Sequence, residues 1–248
     1  MICPSVGLGT HELTGNPNLS ELNPELSQLN TNFILGEKCM DIVSIALQSG
    51  YRLIDTARCY KNEAEIGRAL RESGIDRADI FVTSKVSTKE MGIEKSYEAV
   101  LASLKALDLS YLDLVLIHWP GVKGKPLVST EHREKRFEAF KALLKAKNDN
   151  LVRHVGVSNF TTKHLSELFE DCAKEMISMK PYLNQVEVHP LCPQRDLIEF
   201  CQTHDIIVQG YSSLGHGQLL SHDVVKQISE RRGNLEFNPN LSQFYRKL

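Results

Sequence analysis

Two patterns of apolar and polar positions alternate along the chain. Short β-branched or apolar runs predict strands over Val6–His11, Arg52–Ala57, Ile80–Val86, Leu112–Pro120, Arg153–Asn159, Tyr182–His189 and Ile206–Leu214. Between them, apolar side chains recur at helical spacing. Glu37–Gln48 carries Met40, Val43, Ile45 and Leu47, and Glu94–Leu107 carries Val100, Leu101, Leu104 and Leu107. Thr161–Ala173 opens on a Thr-Thr cap ahead of Leu165, Leu168 and Phe169. Several strands are apolar at every position, as Leu112–Ile117 is but for Asp113. A parallel sheet covered on both faces requires that, and helix-length connections suit parallel pairing. Strand–helix units at this spacing fit either a barrel or an open doubly wound sheet. The open sheet's dinucleotide fingerprint is absent, because Gly7-Leu8-Gly9-Thr10-His11-Glu12 has no third glycine and leads into an irregular stretch.

Two segments interrupt the rhythm. Asn16–Asn32, rich in Asn, Leu, Ser and Pro, reads as a loop insertion, and Asn234–Leu248 reads as an irregular tail after a domain over residues 1–233. The composition, 42% hydrophobic and 24% charged with a formal net charge of −2, is that of one globular domain with no field for nucleic acid or an anionic membrane. No apolar run reaches the ~20 residues of a membrane span, and no signal peptide is evident. The six cysteines form no C-x-x-C pair and read as reduced thiols of a cytoplasmic protein. No histidine pair has H-E-x-x-H spacing, so no metal is expected.

The chemistry collects at strand ends. Asp55 and Tyr60 follow the second strand, Lys85 the third, and His118-Trp119 the fourth. In a closed barrel the carboxyl ends of neighbouring strands converge, which gathers these groups at one mouth. Taken singly, each has a plainer reading: Asp55 a helix cap, Lys85 a solvated strand end, His118 a satisfied core residue, Tyr60 packing.

These segments resemble the aldo-keto reductase family. The resemblance continues, in order, through Val155-Gly156-Val157-Ser158-Asn159-Phe160, Leu183-Asn184-Gln185-Val186-Glu187-Val188-His189-Pro190 and Gly210-Tyr211-Ser212-Ser213-Leu214-Gly215, covering about Val6 to Gly233. It implies an α/β fold, a (β/α)8 TIM-type barrel, here without its eighth strand–helix unit. It also implies NADPH, with NADH as the alternative, as cofactor of a monomeric enzyme acting on a small carbonyl compound. By resemblance, Tyr60 is the proton donor, Asp55 holds Lys85, His118 aligns the carbonyl oxygen and Trp119 lines the substrate pocket. Lys85 is expected to lower the phenol's pKa. Gly9, Thr10, Asp55, Ser158, Asn159, Gln185, Tyr211, Ser212 and Leu214 match cofactor positions: Ser158, Asn159 and Gln185 at the nicotinamide carboxamide, Tyr211 stacked on its ring, Ser212 and Leu214 at the pyrophosphate.

The family's Lys-Ser pair and later Arg, which hold the adenosine end, have no match between Asn234 and Leu248; Arg246 and Lys247 fall outside the pattern. Weaker dinucleotide binding and open edges on the first and last strands are the expected consequences. A scaffold or regulatory relative without turnover is the alternative function. A phosphate-binding barrel isomerase is a third class, and no motif supports it. His11 stands where the family often has an aromatic residue.

Overall fold

The computed structural model describes residues 8–10 and 35–231, without the side chains of residues 35–37, 216, 218 and 220. His11, the expected loop insertion over residues 16–32 and the tail 234–248 lie outside the described residues. Strands and helices alternate: β1 Leu8–Gly9, α1 Leu35–Gln48, β2 Leu53–Asp55, α2 Glu63–Glu72, β3 Phe81–Val86, α3 Ile93–Leu107, β4 Leu112–Ile117, α4 Glu131–Asn148, β5 Val152–Ser158, α5 Thr162–Lys174, β6 Leu183–Glu187, α6 Arg195–Thr203, β7 Ile207–Tyr211 and α7 Asp223–Arg231. Every pairing is parallel and the strand order is the chain order, β1 to β7. A sheet wound in one direction by strand–helix units curls into a nearly closed barrel with its helices outside. Among the described residues, β1 and β7 end the hydrogen-bonded order.

The period of two along each strand sorts side chains into two cores. Ile54, Val82, Val115, Val155 and Val186 face outward and pack with helix residues such as Val43, Ile66, Val100, Phe140 and Leu168. Leu53, Phe81, Leu114, Leu116 and Leu183 face inward and fill the barrel. Continuing the inward series along the strands leads to Asp55, Lys85, His118 and Gln185. The barrel is therefore apolar inside, with polar groups toward its carboxyl ends.

Most strands are shorter than their apolar runs. β4 stops at Ile117 before His118, Trp119 and the proline, which has no N–H for the ladder. β5 stops at Ser158 because Asn159 takes a left-handed φ of 63°, and β7 stops before Ser212, at φ 50°. The residues excluded from the ladder are those that face the mouth. α5 carries the expected cap: Thr161 Oγ1 accepts from the His164 N–H at 3.4 Å, and His164 Nδ1 accepts from the Thr161 N–H at 3.2 Å. α4 has weak apolar contrast because alanines make up half of its buried stripe, which contains Arg136, Ala139, Phe140, Ala142, Leu143 and Ala146.

Candidate active site

Asp55 ends β2, and its carboxylate is held from both sides. Lys85 Nζ donates to Oδ1, and Gln185 Nε2 donates to Oδ2 at 2.6 Å. Lys85 also donates to the Thr56 carbonyl at 2.9 Å, and only 1% of its side chain is exposed. A lysine so far from water keeps its charge only with such partners.

Tyr60 reaches this pair from a short 3-10 turn, Arg58–Tyr60, directly after β2. The turn ends on Lys61 at φ 57°, and the next residue, Asn62, is buried. Asn62 Nδ2 donates to the Thr10 carbonyl at 2.9 Å, its Oδ1 accepts from Thr56 Oγ1 at 3.0 Å, and Thr10 Oγ1 donates to the Asp55 carbonyl at 3.0 Å. Thr10 thus acts on the site by fastening the turn that carries the tyrosine. Lys85 Nζ lies 5.2 Å from the Tyr60 ring centroid. His118 Nε2 lies 3.5 Å from the Tyr60 hydroxyl, and Cys59 Sγ lies 3.5 Å from His118 Nδ1. A carbonyl oxygen can lie at ordinary hydrogen-bond lengths of about 2.8 Å from both atoms, and the imidazole donates to it in the tautomer that carries its proton on Nε2.

Burial pushes the Tyr60 phenol well above the ordinary tyrosine value, and the charges of Asp55, Cys59 and Tyr211 add to that. This reverses the expectation that Lys85 lowers it. The ammonium is paired with Asp55, so the tyrosine meets a nearly neutral ion pair and loses solvent at the same time. Cys59 is also raised, by burial first, with Lys85 opposing.

Ser158 and Asn159 leave β5 at the same rim. Ser158 Oγ donates to the Gln185 carbonyl at 2.8 Å. Asn159 Nδ2 donates to the His118 carbonyl at 2.9 Å and to Ser158 Oγ at 3.1 Å, while its Oδ1 accepts from the Tyr211 hydroxyl at 2.8 Å. One asparagine therefore ties together the ends of β4, β5 and β7. Gly9 pairs in register with Asp55, and nothing lies within 4 Å of where its Cβ would stand. Trp119 is 49% exposed beside His118. Ser212 and Leu214 lie beyond β7, where their carbonyls accept from the Gly215 and Gly217 N–H groups at 2.7 and 3.0 Å.

Cys59, Asn62 and Gln209 belong to this site although the strand-end motifs did not single them out. So does Glu63, the first residue of α2. Its buried carboxylate accepts from Ser84 Oγ at 2.7 Å beside Lys85, and burial raises its pKa. A raised carboxyl holds its proton more tightly folded than unfolded. Wild-type stability is therefore lost as pH rises from the ordinary carboxylate value through the raised one. Glu63→Gln does not titrate, so its melting temperature gains on wild type between pH 4 and pH 8. A gap that stays constant across melts at those pH values rejects the shift.

The parallel barrel thus brings a buried Lys85–Asp55 pair, Tyr60 and His118 together at one mouth. The aldo/keto reductase family model matches residues 6–247, and the chain belongs to that family. It is 40% identical over 196 residues to a glyoxal reductase of Bacillus subtilis, covering 79% of this chain and 65% of that protein. It is 41% identical over 199 residues to a 9,11-endoperoxide prostaglandin H2 reductase of Trypanosoma cruzi, again covering 79% and 65%. The match thus spans just under two thirds of the length of these relatives. An aldo/keto reductase of Brucella melitensis superposes with a TM-score of 0.73 at 35% identity, covering 93% of this chain and 75% of that one. A Bombyx mori aldo-keto reductase in complex with NADP gives 0.68 at 29% identity, covering 84% and 62%. No described helix is long and apolar enough to cross a membrane. The described cysteines, Cys39, Cys59, Cys172, Cys192 and Cys201, are all free.

Proposed function

We propose that the chain reduces aldehydes or ketones to alcohols with NADPH, as a monomeric cytoplasmic enzyme, through Tyr60, Lys85, Asp55 and His118. The observation that carries this reading is the convergence of Tyr60 and His118 at 3.5 Å over the Lys85–Asp55 pair. The residues fit a dihydronicotinamide. Gln185 offers an amide oxygen at the rim, and the Tyr211 ring and the open backbone at Gly9 face the same mouth. Asp55, Ser158, Asn159 and Gln185 would hold the nicotinamide end, and Ser212 and Leu214 the pyrophosphate. The bound cofactor supplies the hydride.

Every other element is the chain's own. His118 Nε2–H donates to the carbonyl oxygen and fixes its direction. Tyr60 donates to the same oxygen and releases its proton as negative charge grows there. Asp55 keeps Lys85 in place 5.2 Å from the Tyr60 ring, so the pair sets the field in which the phenolate forms. Trp119 forms one wall for the substrate. The relatives named for glyoxal and a prostaglandin endoperoxide suggest small or lipophilic oxygenated compounds.

Folded protein mixed with NADPH and 4-nitrobenzaldehyde is expected to consume the cofactor, read as loss of its near-ultraviolet absorbance. No consumption at millimolar aldehyde by protein with an intact melting transition would overturn the proposal in favour of a scaffold.

A further inference from the structure

The carboxylate of Asp55 dictates the orientation of two amides beyond it. Paired with Lys85, it is a pure acceptor. The atom of Gln185 lying 2.6 Å from Oδ2 must therefore be the amide nitrogen. That same Nε2 stands 2.7 Å from Gln209, so the Gln209 atom there must be the carbonyl oxygen, Oε1. Gln185 and Gln209 are register partners on β6 and β7, so their side chains share the inner face. Gln185 is 5% exposed. Both of its Nε2 protons are committed, and Oε1 remains as its acceptor.

We propose that Gln209 is a positioning residue: it fixes the Gln185 amide so that Oε1 accepts from the N–H group of the cofactor's carboxamide. The inference rests on the NADPH reading above. The terminal torsion of a glutamine is soft and broad. One bond, to Asp55, leaves the amide plane free to swing about that contact. A second bond, on the far side of the same nitrogen, fixes the plane and so the direction of Oε1. The hydrogen bond that Gln209 makes is to Gln185, through which it acts on the site.

The test compares Gln209→Met, which keeps length but removes the acceptor, with Gln209→Glu, which keeps an acceptor. Dissociation constants are measured by cofactor fluorescence for NADPH and for its analogue bearing a carboxylate in place of the carboxamide. Gln209→Met is expected to weaken NADPH about fivefold, the worth of one ordinary hydrogen bond. The analogue has no amide proton to offer and should bind both proteins alike. Gln209→Glu should restore NADPH binding to within about twofold of wild type. An equal loss for both dinucleotides, or no loss for either, overturns the proposal. In the cofactor-free protein, the Gln185 side-chain amide is followed by 15N–1H correlation spectroscopy. Its two protons should exchange slowly in wild type, and one should become fast-exchanging in Gln209→Met. That readout stands even if NADPH does not bind, in which case the functional reading fails but the orientation can still hold. Unchanged exchange of both protons in Gln209→Met refutes the orientation.

Discussion

Tyr60→Phe is expected to lower kcat for aldehyde reduction by about a thousandfold, within the 10²–10⁴ range of a general acid, while NADPH still binds. The substitution removes one oxygen and leaves the ring, its edge-on contact with His118 and the turn that carries it. Loss of rate with binding retained would assign the hydroxyl to the chemical step. The pKa direction adds a second expectation. A phenol pushed above its ordinary value of ~10 stays protonated through the physiological range. The proton needed for reduction is then always present, so kcat for reduction should be flat from pH 6 to 9. Alcohol oxidation needs the phenolate and should rise with pH over the same interval. Equal kcat values for Tyr60→Phe and wild type, or a reduction rate that falls along a titration centred near pH 7, would remove Tyr60 from the role of donor.

Much of this site was legible because a strand has a period of two and a barrel has one mouth. Asp55, Lys85 and His118 sit at the ends of apolar runs, where inward positions change from Leu and Phe to charged or polar side chains. Gln209 was legible by the same rule, being two residues before Tyr211 and in register with Gln185, yet no motif drew attention to it. The site's electrostatics were not legible. That Lys85 neighbours Tyr60 follows from the strand ends, but its charge is met first by Asp55, and the burial that raises the phenol is a property of the assembled barrel. Asn159 shows a similar limit. Its position is readable, but the sequence does not reveal that it bonds to His118, Ser158 and Tyr211. The expected strands over Leu112–Pro120 and Ile206–Leu214 ran past Ile117 and Tyr211 because apolar residues, Trp119 and Leu214, continue the pattern after the backbone has left the ladder.

Asp113, a lone carboxylate within Leu112-Asp113-Leu114-Val115-Leu116-Ile117, supports the end of the barrel opposite the site. It is fully buried near the amino end of β4. It accepts from Arg77 Nη2 at 2.7 Å, Arg153 Nη1 at 3.0 Å and the Val82 N–H at 2.9 Å. The two guanidinium carbons lie 4.2 and 4.0 Å from the Tyr111 ring centroid, and Arg77 also holds the Tyr111 carbonyl at 3.0 Å. One carboxylate thus joins β3, β4 and β5 at the barrel floor. Asp113→Leu leaves a buried strand N–H and a largely buried guanidinium without their acceptor, at a cost of about 3–5 kcal/mol. For a chain of this size that lowers the melting temperature by ~6–20 °C. Arg153→Leu, on the exposed side of the same cluster, should cost no more than about 1 kcal/mol. The asymmetry is the decisive feature, because a simple loss of surface charge would make the two substitutions equivalent. Urea unfolding of both variants measures it. Matching midpoints, or an Asp113→Leu protein as stable as wild type, would show that the carboxylate does not organise the floor.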